Sequence, residues 1–143
     1  MGGPLAGVKV VELASIGPIP FCGMVLSDMG CDIVRVDKLA DAVFADPTRA
    51  PGNVLDRGRR SIAVDLKSDS GRELVLRLVD DADVLIEGYR PGVSERLGVG
   101  PEDCQARNPR LVYGRMTGWG RDGPLADRAG HDIDYIALAG ALS

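Results

Sequence analysis

The sequence predicts a single α/β domain, a Rossmann-like parallel sheet with flanking helices. Three observations predict it. Short runs rich in Val and Ile recur along the 143 residues, segments of helical periodicity separate them, and 45% hydrophobic with 27% charged composition suits one buried core. Strands that alternate with helices call for a parallel sheet with right-handed crossovers.

The elements follow in order. "VKVVELA" (8–14) is a β-branched strand, "SIGPIP" (15–20) a breaker cluster, and "FCGMVLSDMG" (21–30) a helix ended by Gly30. "CDIVRVD" (31–37) is the second strand. Residues 39–60, "LADAVFADPTRAPGNVLDRGRR", are polar, rich in Pro and Gly and aperiodic, and read as a long surface loop. "SIAVDL" (61–66) resumes strand character. "SDSGRELVLRLVDDA" (68–82) then places Leu74, Val75, Leu78 and Val79 on one helical face behind a Ser or Asp cap. "DVLIEG" (83–88) is the fourth strand, residues 89–109 hold two short helices, and "RLVYGRMT" (110–117) is the fifth strand. After the turn-rich "GWGRDGP" (118–124), apolar spacing at Ile133, Ile136, Ala137, Gly140 and Ala141 marks a last helix.

Composition excludes several classes. With 17 basic against 21 acidic residues the net charge is −4, which argues against a general nucleic-acid or membrane-surface binder. Cys22, Cys31 and Cys104 are an odd set without C-x-x-C spacing, as expected for reduced thiols in the cytoplasm rather than for a disulfide framework or a metal centre. No apolar run reaches membrane-spanning length, and "MGGPLAGVKV" lacks the pattern of a signal peptide.

In an open parallel sheet, ligands bind beyond the carboxyl ends of the strands. There the sequence puts Asp37 and Lys38 after the second strand, Lys67 after the third, Tyr89, Arg90 and Arg96 after the fourth, and Trp119 and His131 after the fifth. Four cations at one edge of an acidic chain suit a phosphorylated ligand, Arg90 and Arg96 as forks and Lys38 and Lys67 as point charges. The alternative is a set of solvated helix-end residues. The first turn has no G-x-G-x-x-G, Pro18 and Pro20 remove amides that would cradle a pyrophosphate, and G-x-x-x-x-G-K-[ST] is absent. A nucleotide-like ligand held by side chains remains.

His131 is the single histidine, between Gly130 and Asp132 at the mouth of the last helix. It reads either as a capping or surface residue or as a base that takes a carbon-bound proton. Asp132 reads as the N-cap of that helix, and Asp134 as directed elsewhere on it.

"GVKVVELASIGPIPFCGMVLSDMGCDIVRVDK", "RSIAVDLKSDSGRELVLRLVDDADVLIEGYRPGVSERLGVGPE", "NPRLVYGRMTGWGRDGP" and "AGHDIDYIALAGALS" together resemble the N-terminal part of the α-methylacyl-CoA racemases, a branch of the family III CoA-transferase superfamily. The resemblance runs almost end to end, and "AGHDIDY" marks the racemase branch. It implies inversion of the α-carbon of a 2-methylacyl-CoA thioester by proton removal on one face, an enolate, and reprotonation on the other. By the resemblance His131 is one acid/base. Ile16, Lys38, Val64, Leu66, Lys67, Tyr89, Arg90 and Arg96 fall at CoA-contact positions. No separate cofactor is implied, since CoA arrives as part of the substrate, and the partner implied is a second copy in an interlaced homodimer.

In the resembled racemases the second acid/base is an Asp beyond the equivalent of Ser143. The 143 residues therefore correspond to the leading portion of the large CoA-binding domain and are expected to be inactive alone. Two residues depart from the family pattern. Ile19 replaces a Gly and is expected to add bulk beside the acyl-CoA path, and Lys38 replaces a frequent Arg, trading a fork for a point charge. A CoA-transferase working through a carboxylate nucleophile and a non-catalytic CoA-binding module are the competing expectations.

Overall fold

In the computed structural model, residues 2–39 and 54–142 are described. Five strands, β1 (Lys9–Leu13), β2 (Asp32–Lys38), β3 (Arg60–Val64), β4 (Val84–Glu87) and β5 (Val112–Arg115), form one sheet in the order β3-β2-β1-β4-β5. Every pairing is parallel, with Val10 opposite Ile33 and Val84, Val36 opposite Ile62, and Glu87 opposite Arg115. The chain winds outward from β1 to β3, then returns to the other side of β1 to add β4 and β5. Strand order therefore reverses between β1 and β4, and the crevice at such a switch point is where open α/β sheets bind ligands.

Both faces of the sheet are covered. On one, Val11, Leu13, Val36, Val64 and Leu85 pack with Val75 and Val79 of α2 (Asp69–Asp80) and Cys104 of α4 (Pro101–Arg107). On the other, Val10, Ile33 and Ile86 pack with Ile19 of α1 (Pro18–Asp28). The alternation along each strand produces this division, since successive side chains point to opposite faces. Ser68 caps α2, its hydroxyl accepting from the Gly71 amide at 3.0 Å, as the Ser-or-Asp cap in the sequence anticipates. The two short helices expected in 89–109 are α3 (Val93–Arg96) and α4.

Two expectations need correction. The first helix starts at Pro18, within the segment read as a breaker, because proline is tolerated in a first turn whose amides have no intrahelical acceptor. The expected loop over 39–60 ends early. Val54–Asp56 form a 3-10 turn and Arg60 already belongs to β3, while residues 40–53 of that expectation lie outside the described residues. Ile19, expected to add bulk beside the acyl-CoA path, is 4% exposed, packs with Val10, Ile33 and Ile86, and lies close to Gly88 just beyond β4.

The polar segment 54–60 is anchored by charge. Arg59 reaches under α1 to pair with Glu12, which is fully buried on β1, and its guanidinium also donates to the Leu55 carbonyl. Asp56 accepts from both Arg59 at 3.1 Å and Arg35 at 2.5 Å. Burial pushes the Glu12 carboxyl up, and the Arg59 hydrogen bond and charge oppose it.

Candidate functional site

The carboxyl ends of β1, β4 and β5 open onto a cavity of about 750 Å³ at the switch point. Ile16, Gly17 and Pro18 contribute from β1, Gly88, Tyr89, Arg90 and Pro91 from β4, and Met116, Thr117 and Gly118 from β5. The far wall is the loop and helix that follow, Ala126, Arg128, Ala129, Gly130, His131, Asp132 and Tyr135. Of the residues singled out in the sequence, Ile16, Tyr89, Arg90 and His131 are thus brought together. Lys38, Val64, Leu66, Lys67 and Arg96 do not line this cavity.

They stand along the same sheet edge. Lys38 ends β2 and is opposite Val64 in register, while Leu66 and Lys67 follow β3. Val64 lines a separate groove with Leu39, Asp65, Ser68 and Leu74, where β3 meets α2. Arg96 lies in the last turn of α3 beside Gly92. Lys38, Lys67, Arg90 and Arg96 are all exposed, and none forms an ion pair among the described residues. Unneutralised cations along one edge are available to an anionic ligand, whereas Arg57 and Arg107 are already committed to Asp28, and to Glu73 and Asp80.

The turn that presents Tyr89 and Arg90 is fixed from below. Glu87, 3% exposed at the end of β4, accepts from the Tyr89 amide at 2.6 Å and from the Ser94 hydroxyl at 3.2 Å, with Arg115 Nε at 3.4 Å. Burial is the main influence and pushes the Glu87 carboxyl up, against the Tyr89 hydrogen bond, the Arg115 charge and the Ser94 hydrogen bond. One buried carboxylate therefore holds both the first turn of α3 and the approach to Arg90. A lone Glu at a strand end carries no sequence signal for this task.

His131 occupies the N-cap position of α5 (Asp132–Leu138), in extended backbone, with its side chain exposed at the cavity wall. Asp132, expected as the cap, is instead the first helical residue. Asp134, expected to point away, turns back. Its Oδ2 accepts from the His131 amide at 3.0 Å and lies 3.5 Å from His131 Nδ1. The spacing of a capping box, three residues from cap to carboxylate, was the available signal for this contact. Sequence reasoning also passed over Tyr135 and Arg128. Tyr135 is one turn beyond His131 and so on the same helical face. Arg128, in a loop of Gly, Asp and Arg, has no such signal.

A profile of the CoA-transferase family III matches residues 5–143. The chain is 48% identical over 139 residues to the α-methylacyl-CoA racemase of Mus musculus and 46% identical over 139 residues to that of Homo sapiens. These matches cover 97% of this chain but 34% and 35% of those proteins, so the chain spans about a third of the length of the curated relatives it matches. Among solved structures, a CAIB/BAIF family protein from Brucella suis superimposes with a TM-score of 0.85 at 38% identity, covering 98% of this chain and 40% of that one.

Proposed function

For a chain that belongs to the CoA-transferase family III, we propose a role in the inversion of the α-carbon of 2-methylacyl-CoA thioesters. The observation that carries this reading is the placement of His131 on the wall of the switch-point cavity opposite Tyr89 and unpaired Arg90. Identity of 46–48% to two α-methylacyl-CoA racemases supports it.

In this reading the CoA phosphates are taken by Lys38, Lys67, Arg90 and Arg96 along the sheet edge, with Ile16, Val64, Leu66 and Tyr89 against the nucleotide or pantetheine. The thioester enters the cavity, and the His131 imidazole takes the α-proton from one face. The electron pair passes to the thioester oxygen as an enolate, and a proton returned to the opposite face completes the inversion. That second face requires a second acid/base, which by family resemblance is an Asp outside these 143 residues. No cofactor is needed, since CoA is part of the substrate. The whole protein works as a homodimer in the cytoplasm. For these residues alone the reading is CoA binding without turnover.

The test is deuterium uptake from D2O at the α-carbon of a 2-methylacyl-CoA by a full-length chain carrying these residues. Uptake supports the reading. Transfer of CoA to a free carboxylic acid without α-exchange would replace it with a CoA-transferase, a second reading favoured by a carboxylate, Asp132, on the same cavity wall.

A further inference from the structure

The loop between β5 and α5 leaves the sheet at Gly118 and enters the helix at Gly130, and both ends close on one side chain, Tyr135. A β-carbon on Gly118 would collide with the Tyr135 hydroxyl but stand 3.4 Å from its Cζ. A β-carbon on Gly130 would collide with the same hydroxyl and also stand 2.7 Å from Cζ and 2.8 Å from Cε1. The hydroxyl thus abuts bare backbone at both ends of the loop and the ring carbons lie against Gly130, an approach that a β-carbon at either position would obstruct. Trp119 closes the slot, its ring meeting Tyr135 edge to face at 4.8 Å between centroids. The Trp119 indole N–H donates to the Ala129 carbonyl at 3.2 Å, which ties the loop's start to the residue before Gly130.

Gly130 is the covalent neighbour of His131, and Gly118, Gly130, His131 and Tyr135 all line the cavity. We propose that Tyr135 is a positioning residue for His131: its ring, wedged between Gly118 and Gly130 and backed by Trp119, sets where the His131 backbone meets the cavity. This rests on the reading of His131 as an acid/base. An aromatic ring with two stiff torsions is suited to the task, and displacement of a reacting group by about 1 Å can cost roughly 100-fold in rate.

The unequal contacts provide the test. Tyr135→Phe removes the hydroxyl, which relieves a β-carbon at position 118 but leaves ring carbons in collision with one at position 130. His131 is the only histidine among these 143 residues, and in a full-length chain its Cε1–H proton resonance is identified by its loss in His131→Ala. Gly118→Ala should move that resonance, and Gly118→Ala with Tyr135→Phe should bring it back to the Tyr135→Phe position. Gly130→Ala should move it whether or not Tyr135→Phe is present. In a full-length chain, kcat for α-proton exchange should fall roughly 10- to 100-fold wherever the resonance is displaced, by more than KM changes.

A resonance unmoved by Gly118→Ala, or rescue of both glycine variants alike by Tyr135→Phe, would overturn the proposal. If Gly130→Ala does not fold, Tyr135→Leu replaces that arm, and an unmoved His131 resonance there also overturns it. Should the resonances behave as stated while the parent chain shows no α-exchange at all, the positioning holds and the racemase reading fails.

Discussion

Asp134 Oδ2 receives the backbone amide of His131 at 3.0 Å and lies 3.5 Å from its Nδ1. One carboxylate oxygen therefore faces the main chain and the ring of the same residue. Replacing Asp134 with Ala should destabilise the fold by about 0.5–2 kcal/mol, the range for losing a helix N-terminal cap interaction. Urea unfolding of the variant checks it. A stability within about 0.3 kcal/mol of the parent would mean that solvent satisfies the His131 amide equally well.

For His131 itself the expected result is asymmetric. In a full-length chain in D2O, His131→Ala should lose deuterium uptake from the epimer whose α-proton faces the imidazole. Exchange from the other epimer persists through the group on its own face. Racemisation should fall by roughly 100- to 10,000-fold, as for removal of a general acid/base. Equal exchange of the two epimers in the variant would return His131 to the role of a cap.

Arg90 carries the prediction for CoA. It is exposed, lines the cavity and has no ion-pair partner among the described residues. Arg90→Ala should weaken CoA binding by about 1.5–3 kcal/mol, the range for charge-assisted hydrogen bonds. Titration calorimetry with CoA decides it, and an unchanged Kd removes Arg90 from the site.

Glu87 gives a pH dependence of defined sign. Its folded carboxyl is raised above the ordinary value of 4.5, chiefly by burial. The folded chain then holds that proton to higher pH than the unfolded chain does. Its contribution to stability is fully present below 4.5 and is lost as pH rises through the raised value. The stability of the parent relative to Glu87→Gln should therefore fall as pH rises from 4 to 8, read as the difference in Tm across that range. A difference that grows with pH would mean that the Tyr89, Ser94 and Arg115 contacts outweigh burial.

The strands, their order along the chain and the helical faces were legible in the sequence because they depend on short-range periodicity. Val10 and Ile33 alternate with Val11 and Val34, and Val75 and Val79 recur at one helical turn, so each face of the sheet declares its own packing. Several candidate ligand residues were legible for a related reason: in a parallel sheet whatever follows a strand arrives at one edge, so Lys38, Lys67, Arg90 and His131 had to share it, whereas Ile16 was marked only by the family resemblance. What the sequence could not supply was which of them meet. Strand order places β4 rather than β2 on the cavity side of β1, and this alone gathers Ile16 with Arg90 and His131 while leaving Lys38 and Lys67 further along. The support beneath the site was equally hidden. Glu87 under Tyr89, Arg59 against Glu12 across 47 residues, and Tyr135 between Gly118 and Gly130 are contacts between distant positions. Such contacts are set by how the elements pack in three dimensions, and no local pattern of charge or hydrophobicity encodes them.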